Sequence, residues 1–412
     1  MEKRKRWRAI FYEWQLFIIV LKTRRIIMAQ QLSLETLRSL MQAESIEQLS
    51  MQQINELFHA EKDMMPFLPD SICQIDPRNG ELIVYNSTRA KRPHDAPLHQ
   101  AIAETAEKPC VICQGKTTGV VDIAPLSQGA TFINKNLFPI IYPLQEILTE
   151  YRQQPLYPDP MHTGRVSYGF HFLQWTSSHH DQDWHTLSLE DGLIVLRRLA
   201  ALEQKLLYES ETLMPPSETP PPRKPTHGFV SIIKNYGLLA GGSLAHGHQQ
   251  IGYSNIMPSR FYNNWCFSER HQGEYFSHYL LRENPAELTV RDYGDAILIV
   301  PYFMRRPYDM LLLVKNTHRQ YLHELSDTEM RAVTQGIQDA MRALLRIMPS
   351  LGREPAFNLT VNNGPGAGLY LEFLAHTQEM GGFEQLGLWV CQESTTHAAA
   401  YLRDAVQAAQ SA

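Results

Sequence analysis

The chain has 412 residues, 43% hydrophobic and 20% charged, with a formal net charge of −5. A chain of that size and mixture buries a sizeable core, as one large domain or two to three ordinary ones. Its mild acidity excludes the basic footprint of a nucleic-acid binder, and five cysteines over such a length exclude a disulfide framework.

In chain order, Met1 to Arg8 is basic. The apolar run 9–21 that follows contains Glu13 and Gln15. It is too short to span a bilayer, and it is followed by Lys22-Thr23-Arg24-Arg25 rather than by a small-residue cleavage site. Against the rival reading of a signal anchor, this segment reads as an upstream extension ahead of a start at Met28. The expectation is a cytoplasmic protein without membrane contact, for which residues 1–27 are dispensable. Leu37, Leu40, Met41 and Ile46 then recur at helical spacing over 33–57 and predict a small helical leader, making 1–70 an N-terminal extension.

From Ser71 the pattern turns to strands. The β-branched run 82–85 follows the turn signal Asp76-Pro77-Arg78-Asn79-Gly80. Next come a basic loop, Arg89-Ala90-Lys91-Arg92-Pro93, and then Cys110-Val111-Ile112-Cys113. In a reducing compartment this cysteine pair reads first as metal-binding and second as redox. A strand is predicted over 169–175, a helix over 189–210, an exposed stiff connection over the proline-rich 215–225, and a strand over 229–233. Beyond them lie strands over 297–302 and 310–314, a helix over 326–348 opened by the capping box Ser326-Asp327-Thr328-Glu329, and a closing helix over 396–409. Strands, a long helix and more strands occur twice, predicting an α+β architecture with internal duplication: units 71–255 and 256–412.

The most informative stretch is Gly241-Gly242-Ser243-Leu244-Ala245-His246-Gly247-His248-Gln249-Gln250. In extended backbone, side chains at i, i+2 and i+4 share a face, so His246, His248 and Gln250 reach one site. A neutral imidazole aimed at phosphorus is a nucleophile. The competing reading is a polar strand with two solvated histidines.

These blocks together resemble the galactose-1-phosphate uridylyltransferase branch of the histidine-triad superfamily, over roughly residues 71 to 405. The carriers are Arg89 to Pro93, Cys110-x-x-Cys113 with Gln114-Gly115, the His171 to Leu187 block with His180-Asp181, and Asn235-Tyr236-Gly237 followed by Gly241 to Gln250. Gly381-Gly382-Phe383-Glu384 and Ala398 to Arg403 echo it more faintly. The resemblance implies two histidine-triad-like units, each an antiparallel sheet with packed helices, the first of them catalytic. It implies a nucleotidyltransferase that moves a nucleoside monophosphate from a nucleotide sugar to a sugar 1-phosphate through a nucleotidyl-histidine at His248. Gln250 and Ser243 would assist. Arg89, Arg92, Asn136, Phe138, Asn235, Gly241 and Gly242 would bind substrate, the glycine amides serving as phosphate donors. Cys110, Cys113, His180 and His246 would hold a structural Zn2+. A homodimer is compatible with the resemblance.

The family often carries a second H-x-H where this chain reads Leu369-Tyr370-Leu371-Glu372. A second metal, or catalysis from that half, is therefore not expected, and galactose specificity is left open near 381–391. Two other functions stay open: a nucleotide-sugar or dinucleotide phosphorylase using inorganic phosphate, and a non-catalytic nucleotide- or zinc-binding protein.

Overall fold

The computed structural model describes residues 31–89, 110–149, 164–217 and 224–410. The N-terminal segment 1–27 and Arg92 lie outside them, as does the centre of the proline-rich connection.

The leader is two short helices, α1 (Leu34–Ser39) and α2 (Met51–His59), with a single 3-10 turn between them. Ser50 and Gln53 cap α2 reciprocally. The leader is not a separate appendage. Leu40 and Gln42 exchange backbone hydrogen bonds with Val120, and Ile46, Ile54 and Phe58 are fully buried in the main core. A small sheet follows, with β1 (Ile72–Ile75) between β2 (Leu82–Val84) and a later strand.

The body opens with β3 (Val120–Pro125) and β4 (Ala130–Lys135), neither of which the sequence pattern predicts. Then come β5 (Gly164–Val166), which closes the small sheet, β6 (Gly169–Trp175), and helix α3 (Leu189–Tyr208). The proline-rich segment is flanked by a two-residue ladder, β7 (Pro216–Ser217) against β8 (Thr226–His227). β9 (Phe229–Tyr236) runs three residues past its expected end, and β10 (His248–Ser254) begins at the second histidine of the motif. Helices α4 (Ser259–Arg270) and α5 (Phe276–Glu283) lead into the second half. There β11 (Thr289–Asp292), β12 (Ala296–Ile299) and β13 (Met310–Val314) precede helix α6 (Asp327–Ser350), capped by Ser326 and Glu329 as predicted. β14 (Phe357–Asn362), β15 (Tyr370–Ala375), α7 (Gly382–Gln385) and α8 (Thr395–Gln410) complete the chain.

Ten of these strands form one antiparallel sheet, ordered β11-β12-β13-β15-β14-β9-β10-β6-β4-β3. Each half contributes five strands in the same arrangement: three in sequence, then the fifth, then the fourth. The halves join where β9 pairs with β14, with Ile233 opposite Thr360. The duplication is therefore topological, and the sheet is shared.

Alternation decides the faces. Ile232, Ile251, Leu371 and Phe373 point to the side where α3 and α6 pack, and one hydrophobic cluster spans both halves. The helices approach closely: a Cβ on Gly192 of α3 would lie 2.8 Å from Thr334 of α6. His248, Gln250, Ile233, Asn235, Asn358, Thr360 and Glu372 point to the opposite face. No helix among the described residues is long and apolar enough to cross a membrane.

Candidate active site

The loop between β9 and β10 is shaped by glycine. Gly237 and Gly241 hold positive φ of 81° and 82°, a region costly for other residues. A Cβ on Gly242 would meet the Gly237 carbonyl at 2.9 Å. The amides of Gly241 and Gly242 are consumed inside the turn, donating to Leu238 and Gly237 carbonyls at 3.0 Å. The expected role of these amides as phosphate donors is therefore corrected: the glycines act by conformation and close approach. Ser243 sits partly exposed in the same loop.

His246 and His248 are not the solvated pair of the competing reading: they are 0% and 7% exposed. His248 packs on Trp175, ring centres 4.8 Å apart. Its Nδ1–H donates to the His246 carbonyl at 2.8 Å, which fixes the tautomer and leaves the lone pair on Nε2. Burial, with the Lys234 charge adding to it, pushes its pKa down to about 4. The ring is thus neutral and nucleophilic at ordinary pH. The Lys234 ammonium, 2% exposed, donates to the His248 carbonyl at 3.1 Å and pairs with Asp183 at 2.7 Å. Neither residue was singled out from the sequence.

Gln250 lies one pleat further along the same face. It hydrogen-bonds His171, a residue whose pKa is pushed down to about 3 by burial and by the nearby Arg89 charge. His171 Nδ1 accepts from the Ile140 amide at 3.1 Å, so its Nε2 carries the proton and the Gln250 carbonyl is the acceptor. Gln250 therefore turns its NH₂ outward. Sequence reasoning passed over His171 as a site residue, although it alternates with Leu173 and Trp175 on the strand beside His248. Asn136 rests against the His171 ring at 3.2 Å and caps the Phe138 amide, and Arg89 donates to the Phe138 carbonyl at 3.0 Å. The structure thus gathers Arg89, Asn136, Phe138, His171, Gln250 and His248 in one neighbourhood. Asn235 joins it from β9: continuing the β9–β10 register places it opposite His248.

On the other side of the loop, Cys110, Cys113, His180 and His246 present ligand atoms all within 4.8 Å of one another. The Cys113 sulfur stands 3.5 Å from His246 Nδ1 and 3.8 Å from His180 Nδ1, and the Cys110 sulfur 3.7 Å from His246 Nδ1. Tetrahedral bonds of metal–thiolate and metal–imidazole length require about 3.6 Å between S and N, so these residues could hold a metal ion. His246 Nε2–H donates to the Ser177 carbonyl at 2.7 Å, which turns Nδ1 and its lone pair to the thiols, as a metal-bound histidine requires. Burial raises both thiols. His180 and His246 outweigh that for Cys110 and bring it to about 5, whereas Cys110 adds to the rise of Cys113, to about 12.

Among the described residues, Cys110, Cys113, His180 and His246 are the one such cluster. Gln250 pairs with Ile233, Ile233 with Thr360 and Thr360 with Glu372, so Glu372 lies across the joint from Gln250 on the same face, with Tyr370 two residues along β15. Tyr370 donates to Asn264 of α4 at 3.1 Å. Glu372 accepts from Asn362 at 3.1 Å and pairs with Arg260 at 3.3 Å. This stretch of β15 is bonded to α4 and carries no imidazole.

No protein-family model matches the sequence, and no curated protein matches it. Solved structures do. A uridylyltransferase aligns at a TM-score of 0.60 with 18% identity, covering 82% of this chain and 99% of that one. A GalT-like protein from Arabidopsis thaliana aligns at 0.55 with 14% identity, covering 81% and 98%. An ADP-glucose phosphorylase from Arabidopsis thaliana, with bound ADP-glucose, aligns at 0.54 with 15% identity, covering 81% and 98%. The chain therefore shares its fold with a uridylyltransferase, a GalT-like protein and an ADP-glucose phosphorylase, over nearly the whole length of each.

Proposed function

We propose that this protein transfers a nucleoside monophosphate from a nucleotide sugar to a sugar 1-phosphate through a covalent intermediate on His248. The observation that carries the reading is a buried, neutral imidazole with its Nδ1 proton committed to a carbonyl and its lone pair on Nε2, on the sheet face opposite α3 and α6. Nε2 attacks the α-phosphorus, forming the N–P bond as the bond to the bridging oxygen breaks, and sugar 1-phosphate departs with both bonding electrons. Its second pKa is near 6, so it leaves without a proton. The imidazole then carries a positive charge, which the Nδ1–H bond to the His246 carbonyl stabilises. The acceptor's phosphate oxygen attacks the same phosphorus and restores neutral His248.

Gln250 suits this cycle. Its carbonyl is engaged by His171, so it donates to phosphate oxygens and removes no proton. An acceptor that arrives as an anion needs no base, whereas water does. Arg89 and Arg92 supply charge for the phosphates, Asn136 and Phe138 contact the nucleoside, and Ser243 and Asn235 are further donors. Cys110, Cys113, His180 and His246 suit zinc, which in a closed four-ligand site clamps the loops rather than reacting. The cysteines are free thiols, which fits a cytoplasmic setting. A homodimer fits the reading as well.

Inorganic phosphate as acceptor is the second reading, favoured by the likeness to a phosphorylase. The protein is incubated with UDP-, ADP- and GDP-sugars and weighed. The expected result is one covalent nucleotide, absent from folded His248→Ala, and discharged by sugar 1-phosphate or phosphate much faster than by water. Labelling of His248→Ala at the wild-type rate would remove the reading.

A further inference from the structure

The second half of the chain reaches the first-half site through one side chain at the joint between them. Asn358 on β14 stands opposite Asn235 on β9. Its Nδ2 donates to Asn235 Oδ1 at 2.8 Å and to the Ala240 carbonyl at 2.9 Å, and its Oδ1 lies 2.8 Å from Nε2 of His376. The direction of these bonds is not free. A backbone carbonyl only accepts, so Ala240 forces the Asn358 amide to present its NH₂. The same NH₂ then forces Asn235 to present its carbonyl oxygen to β14. What remains of Asn235 is its own NH₂, which faces Gly241: a Cβ built there would lie 3.7 Å from Nδ2. His376 donates from Nε2 into the Asn358 oxygen and closes the chain.

We propose that Asn358, held by Ala240 and His376, is a positioning residue that sets the Asn235 amide with its NH₂ toward the phosphates bound over the glycine loop. One phosphate donor of the first-half site is thereby oriented from the second half. The inference rests on the nucleotidyl-transfer reading of His248. Without Asn358 as donor, Asn235 is free to rotate and present its oxygen, and oxygen facing phosphate repels where NH₂ attracts. A carboxylate at 358 enforces the wrong rotamer, because it accepts and cannot donate.

The test is a double-mutant cycle on single-turnover nucleotidylation with the nucleotide sugar that labels best. Asn235→Ala loses the donor and is expected to slow labelling about 100-fold, in the range for one missing donor at a developing oxyanion. Asn358→Asp is expected to slow it at least about tenfold, at unchanged metal content, and to add nothing on the Asn235→Ala background. His376→Phe should slow labelling severalfold, and His376→Gln, which can still donate, should restore most of the difference. If Asn358→Asp does not fold, Asn358→Ser takes its place in the cycle. Equal slowing by the 358 variant with and without Asn235 overturns the proposal, as does wild-type labelling by Asn235→Ala. A wild-type protein that takes up no nucleotide refutes the His248 reading instead, and the inference with it.

Discussion

Lys234 shows how much one side chain carries here. With exposures of 2% and 8%, it and Asp183 form an ion pair inside the sheet–helix core, and the ammonium also grips the carbonyl of His248. Removing one partner of a buried pair strands the other charge. Lys234→Met should therefore cost about 3–5 kcal/mol in urea unfolding, and adding Asp183→Asn should recover much of the loss. Asp309 makes a different prediction. Burial raises its carboxyl to about 7, against 3.8 for the free group, despite Arg306 and the Ala375 amide. A group raised in the fold contributes stability below the lower value and loses it as pH climbs through the upper one. Wild-type stability should decline from pH 5 to pH 8 by more than that of Asp309→Asn, as read by urea midpoints at each pH. His248, Gln250 and the Cys110–Cys113 pair could be picked out because H-x-H-x-Q and C-x-x-C are local patterns, whereas His180, 67 residues beyond Cys113, came only through the family resemblance. Asn358 and Lys234 were not, since their partners stand 123 and 51 residues away in the chain, brought close only by the sheet.

At the scale of elements, helix periodicity was readable where one face is apolar, as in 189–210 and 326–348, and 310–314 was readable as an unbroken apolar run buried on both faces. It failed for β3 and β4. Asp122 is fully buried against Arg198, and Thr131, Asn134 and Lys135 are buried with hydrogen-bond partners, so these strands show no alternation of polarity to detect. A metal ion held by Cys110, Cys113, His180 and His246 would tie three segments together: the Cys110 turn, the segment after β6 and the entry to β10. Elemental analysis should find about one zinc per chain, and Cys110→Ser should lose it with a clear fall in Tm. Helix α6 offers a steric test. A methyl at Gly336 would collide with Leu312 of β13, so Gly336→Ala, which ought to favour a helix, is expected to destabilise by about 1–3 kcal/mol, measured by denaturant unfolding.

Across the whole molecule, the β9–β14 joint makes the halves interdependent. A chain ending after Ser254 would leave β9 as a bare edge carrying Phe229, Val230 and Ile232. Such an edge templates intermolecular pairing. That fragment should aggregate on expression, as light scattering would show, whereas co-expression with the remainder should return part of it to solution.

The placement of histidine on one side of the joint also bears on stoichiometry. If His248 is the group that takes up the nucleotide, β15 offers no second one: it carries Tyr370 and Glu372 on the same face, locked by Asn264, Asn362 and Arg260. Titrated to saturation with labelled donor, the protein should show a burst amplitude of one nucleotide per polypeptide, independent of how many subunits assemble. Occupancy thereby counts intact chains, and a preparation can be calibrated by its covalent capacity instead of by its turnover.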